Sequence, residues 1–288
     1  MITNIKMGGI GVEINWIEAL FYGIISGLTE FLPVSAQAHQ MIVLNLFGCG
    51  QSSGILELFV HLGMVTALIT TTGAYIKRLY AEYQLSKSKR RRRKRELNLQ
   101  SVFDIAFVRT ACLLIIIGFL FYGKTMQWRN TIPIVASFML LNGLILFIPM
   151  YLARGNKDSR SMTGLDALLF GFGSALSVFP GVSRIGAGCS ISIARGADPQ
   201  HAYKWSLILS LPVLLLLLGF DVYSIFALDS GSFEFVFVLK CILSGVCSYF
   251  GASLAITLMK SLTAHSGMSG FSYYSLGAAL FAFILYLY

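Results

Sequence analysis

Six stretches of this chain run for about the thickness of a bilayer with almost no charge, and this constrains the fold before any motif is considered. They cover residues 55–76, 103–123, 131–153, 204–228, 235–259 and 271–288. A helix of roughly 20 apolar residues crosses the hydrocarbon core, so each is expected to span it. Charged residues make up 12% of the 288, about half the ~25% typical of a soluble domain. The deficit leaves lipid as the natural solvent for most of the surface.

Two further apolar stretches, 16–48 and 165–196, are broken midway. Leu32-Pro33-Val34-Ser35 interrupts the first and Phe179-Pro180-Gly181-Val182 the second. Each half is too short to span alone. Non-helical backbone survives at membrane depth only where protein buries it or a cavity is lined, so both read as re-entrant hairpins.

The positive charges set the orientation. Lys87, Lys89, Arg90, Arg91, Arg92, Arg93, Lys94 and Arg95 form one block, which places the loop 77–101 in the cytoplasm and favours contact with anionic lipid. A net charge of +9 confined in this way implies no nucleic-acid partner. Counting forward, Arg154, Lys157 and Arg160 also fall inside, whereas Asp229 and Glu234 fall outside. Both termini are then extracytoplasmic. The first residues lack the charged-then-apolar pattern of a cleavable leader and are expected to be retained. Cys49, Cys112, Cys189, Cys241 and Cys247 have no metal-ligand spacing and read as small hydrophobes rather than disulfides.

The two broken stretches align without gaps, Glu18 through Ser35 on Asp166 through Ser183, with roughly eight positions identical. Three spans follow each copy, and an odd number inverts the second copy relative to the first. The expectation is an all-α polytopic membrane protein of one domain, residues 1–288. Six transmembrane helices and two re-entrant hairpins form an inverted-topology repeat with halves at about 12–153 and 160–288. Such folds place their ligand near the midplane, where the broken helices meet.

Ionisable residues at that depth are costly and mark function. Glu30 and His39 flank the first break, and Ser183 and Arg184 follow the second. Glu57 and His61 share a helical face on the first span. Ser35 and Ser183 add hydroxyls. Arginine suits bidentate phosphate contact, and the half-helix N-termini offer free N–H groups to an anion. Arg184 either binds such an anion or locks the hairpins together through Glu30. Glu57 and His61 are read as support. Gly27, Gly181, Gly186 and Gly188 serve turns and close packing; they form neither GxGxxG nor Walker patterns, which leaves nucleotide binding unsupported.

These segments carry a family resemblance. Gly27-Leu-Thr-Glu-Phe-Leu-Pro-Val-Ser35, with His39 following, resembles the first signature of the bacterial undecaprenyl-diphosphate phosphatases, the bacitracin-resistance type. Phe179-Pro-Gly-Val-Ser-Arg-Ile-Gly-Ala187 is similar to their second, usually PGxSRSGxT. Leu56 through Gly63 and Trp205 through Pro212 resemble further family segments in the expected order, so the likeness covers nearly the whole chain. It implies a hydrolase of the bacterial inner membrane that removes the terminal phosphate of a polyprenyl diphosphate and recycles the lipid carrier of cell-wall synthesis. It further implies Glu30, His39 and Arg184 as catalytic residues, with His39 as nucleophile or general acid–base and Glu30 orienting His39 or a water. Ser35, Ser183, Ser26 and Gln37 would contact substrate, the metal is unassigned with a divalent cation such as Mg or Ca in view, and a homodimer is allowed. The chain departs from the family pattern at Ser26, Ala36, Gln37, Ser174, Ile185 and Gly188. The alternative these departures leave open is a non-catalytic relative that binds or translocates a lipid phosphate.

Overall fold

The computed structural model describes residues 14–49, 52–87, 98–227, 234–265 and 268–287, and the regular elements among them are all helical. The α-helices are α1 Trp16–Glu30, α2 Ala36–Leu46, α3 Gly54–Lys87, α4 Leu99–Phe119, α5 Tyr122–Thr125 and α6 Ile132–Phe147. They continue as α7 Gly164–Ala175, α8 Arg184–Ala194, α9 Pro199–Ala227, α10 Phe235–His265 and α11 Gly270–Leu287. Short 3-10 turns occupy Met126–Asn130, Ile148–Tyr151 and Leu176–Val178. The six helices long and apolar enough to cross a membrane are α3, α4, α6 with its 3-10 turn, α9, α10 and α11, matching the six expected spans.

One boundary is corrected. The stretch 77–101 was expected as a loop, but α3 continues to Lys87 and α4 starts at Leu99. Loss of hydropathy marks the end of the bilayer, not of the helix. Leu79 and Glu82, at helical spacing from Tyr75, are buried, and Glu82 Oε2 accepts the Asn98 N–H at 3.2 Å. The basic residues 89–95 and Asp229 lie outside the described residues.

Both broken helices begin in the same way. Asn15 Oδ1 accepts the Glu18 N–H at 2.9 Å while Glu18 returns a bond to Asn15 N–H at 2.7 Å. Thr163 and Asp166 form the equivalent reciprocal cap on α7. Such boxes satisfy end donors that the helix itself leaves without partners. The chain leaves α1 at Glu30, turns through Pro33, and re-enters a helix at α2 with Ser35 as its cap. After α7 it turns through Gly181, whose φ of +123° suits glycine. A Cβ there would stand 2.5 Å from the Val135 carbonyl oxygen, so the close approach requires glycine as well. Ser183 caps α8, its Oγ accepting the Gly186 N–H at 3.1 Å.

Packing follows membrane rules, with small residues at the helix contacts. α1 and α3 both lie on α10: a Cβ on Gly27 would come within 2.1 Å of the Ser248 carbonyl oxygen, and the Ser248 hydroxyl bonds the Val60 carbonyl. α7 packs on α4, and α6 on α11. Trp205 is fully buried, its ring 4.3 Å from Phe107. The outward faces carry exposed Leu, Ile and Phe, as lipid contact requires. All five cysteines are free thiols, with Cys189 and Cys241 buried.

Candidate functional site

The two breaks meet. Asn142, midway along its span, joins them: its Oδ1 accepts the Ser183 N–H at 2.9 Å and its amide donates to the Pro33 carbonyl at 3.3 Å. The Ser35 Oγ accepts the Gly181 N–H at 3.1 Å, a second tie across the breaks. The N-termini of α2 and α8 are thereby brought to one place, each contributing the positive end of an 11-residue helix.

Arg184 opens α8 and Glu30 closes α1, and they form an ion pair at 2.7 Å. The same guanidinium nitrogen donates to the Ser210 hydroxyl at 3.0 Å. Its Nε–H is buried and has no acceptor. A buried donor without a partner costs about 1–3 kcal/mol, so an acceptor placed here would be stabilised. Beside the pair lies a cavity of about 70 Å³. A water needs roughly 10–15 Å³ by this measure, so a small polar group fits and a prenyl chain does not. Its polar wall includes Glu30, Ser35, Gln37, Ser183 and Arg184, and its apolar wall is built by α4 and α9 through Phe119, Val213 and Leu217.

The two capping serines differ in one respect. Ser183 Oγ donates to the Leu32 carbonyl at 3.3 Å as well as capping α8. Ser35 Oγ only accepts, from Ala38 and Gly181. Its proton is therefore available to a ligand.

The remaining residues singled out from the sequence lie elsewhere. His39 does not line the cavity. Its Nδ1 sits 2.6 Å from the Ser35 carbonyl and its Nε2 2.8 Å from the Tyr274 hydroxyl, with the two rings stacked. A carbonyl only accepts, so Nδ1 carries the proton and Nε2 in the neutral ring accepts from Tyr274. Ser26 is fully buried with its hydroxyl unpartnered, and it too is absent from the cavity wall. Glu57 is held by Arg129 at 2.8 Å and by the Tyr22 hydroxyl at 2.7 Å. His61 Nδ1 meets Asp221 at 2.6 Å. Of the departures, Ala36 lines the cavity, Ile185 is buried, and Ser174 faces Gly188, where a Cβ would lie 2.3 Å from its Oγ.

Sequence reasoning missed Arg129, Asp221, Tyr274 and Asn142. Asp221 carried the same signal as Glu30, a carboxylate inside an apolar run. Arg129 lies in the polar link between two spans, where a cation gives no signal of its own. Tyr274 and Asn142 give no sign in sequence, because only packing decides which hydroxyl or amide faces a break.

Among the described residues no three His, Cys, Asp or Glu side chains gather. Divalent cations take several oxygen ligands, and Glu30 is engaged by Arg184. The residues present do not fit a cation caged by protein alone, and no step is derived through one.

Comparison with known proteins agrees in extent. The profile of bacitracin resistance protein BacA matches residues 19–281. Undecaprenyl-diphosphatase 2 of Halalkalibacterium halodurans is 28% identical over 275 residues, covering 94% of this chain and 96% of that protein. The undecaprenyl-diphosphatase of Thermosipho melanesiensis is 27% identical over 266 residues, covering 92% and 98%. That of Methanobrevibacter smithii is 26% identical over 266 residues, covering 90% and 93%.

Proposed function

The chain belongs to the bacitracin resistance protein BacA family, and from that premise we propose that it is a multi-pass membrane phosphatase converting undecaprenyl diphosphate to the monophosphate and inorganic phosphate. The observation that carries the reading is the buried Arg184, poised over a small cavity with an Nε–H that has no acceptor. The terminal phosphate would take that donor, the Ser35 hydroxyl and the N–H groups at the starts of α2 and α8. Pre-aimed donors of this kind stabilise charge that develops in the transition state. Glu30 holds Arg184 through one oxygen; the other would orient the attacking water. The bond between the bridging oxygen and the terminal phosphorus breaks, and the lipid leaves as monophosphate. The apolar wall from α4 and α9 would exclude water, with only the headgroup entering and the prenyl tail remaining in lipid.

His39 enters this scheme as a positioning residue. Its Nδ1–H fixes the Ser35 carbonyl and so the start of α2. Glu57 and His61 act further out, as members of the Arg129 and Asp221 pairs.

The fold reading proposed with it is an inverted repeat of re-entrant hairpins in the bacterial inner membrane. The same interval separates Asn15 from Thr163, Glu18 from Asp166 and Ser35 from Ser183, each pair in the same capping role. Packing partners exchange accordingly, α1 on α10 and α7 on α4. A cysteine introduced at position 90 is expected to resist a membrane-impermeant maleimide in intact cells and to react in inverted vesicles. Labelling in intact cells would reverse the orientation.

The direct test uses purified protein in detergent with undecaprenyl diphosphate. One inorganic phosphate is expected per lipid, leaving the monophosphate. Tight binding without release would overturn the phosphatase reading in favour of a lipid-phosphate binder.

A further inference from the structure

A second recess lies at the opposite end of the bundle from Glu57, where α3, α9 and α10 come together. It measures about 480 Å³ and is lined by Arg78, Lys204 and Lys260 together with Tyr75, Gln200 and the threonines of α3. Among the described residues no carboxylate lines it. Lys204 and the exposed Arg78 both stand over one ring, that of Tyr75, at 4.3 and 5.8 Å from its centroid. Lys260 turns to the Thr71 carbonyl at 3.2 Å, and among the described residues no carboxylate pairs with it or with Arg78. Asp104, the acid behind Tyr75, is buried. It already accepts from Tyr75, Trp205 and Ser159, with Lys204 at 3.4 Å. Three cations thus line a recess behind which the acid Asp104 is almost fully engaged.

We infer that this recess binds the phosphate headgroup of an anionic lipid in the adjacent leaflet. Arg78 and Lys260 supply the charge, and Gln200, which has no bond of its own among the described residues, adds an amide donor. A lipid is favoured over a free anion by the flanks. Ile69 on α3 and Leu254 and Leu258 on α10 are exposed within two turns of the recess and offer a track for acyl chains. The site is separate from the cavity at Arg184 and from the basic block that begins at Lys87, and it stands whether or not the phosphatase reading holds.

The experiment is native mass spectrometry of the detergent-solubilised protein with phosphatidylglycerol, phosphatidylcholine or inorganic phosphate added. The wild type is expected to retain phosphatidylglycerol about tenfold better than phosphatidylcholine. Combined Arg78→Ala and Lys260→Ala should lower that retention by about tenfold or more, each cation near a lipid phosphate being worth roughly that factor or somewhat less. The variant should elute with wild type on size exclusion and unfold at the wild-type SDS fraction, which reports its fold. Equal retention by wild type and variant would overturn the site. Displacement of the lipid by millimolar inorganic phosphate would overturn the lipid assignment in favour of a free anion. Should the double variant fail to fold, Lys260→Gln, at an exposed position, carries the same comparison.

Discussion

Arg184→Lys lowers phosphate release by about 10²–10³-fold, the usual cost of removing one electrostatic contact to a transition state. The guanidinium holds Glu30 and Ser210 through one terminal nitrogen and keeps Nε–H pointing into buried space without a partner. An ammonium keeps the charge but is a single point on a flexible stem, so it cannot serve Glu30 and a phosphate oxygen along two fixed directions. The competing view makes the pair a clamp between α1 and α8. On that view the lysine variant loses stability, while turnover per folded molecule stays near wild type. Measuring kcat and KM against the folded fraction separates the two. A kcat within about threefold of wild type, with a lower unfolding midpoint, would leave Arg184 a clamp and remove it from the chemistry. His201→Ala is the matched control, since that ring bonds only Asp198 outside the cavity and turnover should scarcely change.

The second large effect is on stability. Arg129→Met is expected to destabilise the protein by about 3–5 kcal/mol, because removing one partner strands a buried charge. Glu57 is almost wholly buried, and Arg129 pairs with it at 2.8 Å. Tyr22, Ser52 and Gln40 also donate to it, but neutral donors do not replace the charge. Arg129 in addition donates to the Gln40 side chain at 2.6 Å, which ties the link between α4 and α6 to α2. Adding Glu57→Gln to Arg129→Met should recover a substantial part of the loss, since the unpaired carboxylate is then gone. Unfolding by SDS titration in mixed micelles reads both variants. A shift below about 1 kcal/mol for Arg129→Met alone would mean that water reaches Glu57 and that the pair is not a buried one.

The parts of this molecule that were legible in sequence are those that lipid dictates. A bilayer demands a minimum helix length, so the spans announce themselves, and it punishes stray charge, so Glu30 and Arg184 stood out and do meet. Pro33 and Gly181 marked the breaks because one lacks an N–H and the other adopts a backbone that side chains resist. What could not be read is rotation. Nothing in the spacing of α2 determines that His39 turns to Tyr274 on α11 while Gln37 turns to the cavity; that choice depends on a neighbour more than two hundred positions away. Asp221 was legible in principle and was masked by the leucine run around it. The end of α3 was misplaced for a related reason, since past its apolar stretch the helix continues to Lys87 on tertiary contacts that hydropathy does not register.

The amide of Asn142 has a consequence for motion. It satisfies a carbonyl of the first break and an N–H of the second, and its remaining bond goes to Ser275 on α11. Neither break can open alone without stranding a polar group at depth, so the two belong to one cooperative unit. Fluctuations that admit or release a ligand therefore cannot be confined to one hairpin. They involve α6 and α11 as well, which makes the slow opening of this site a property of both halves of the chain at once.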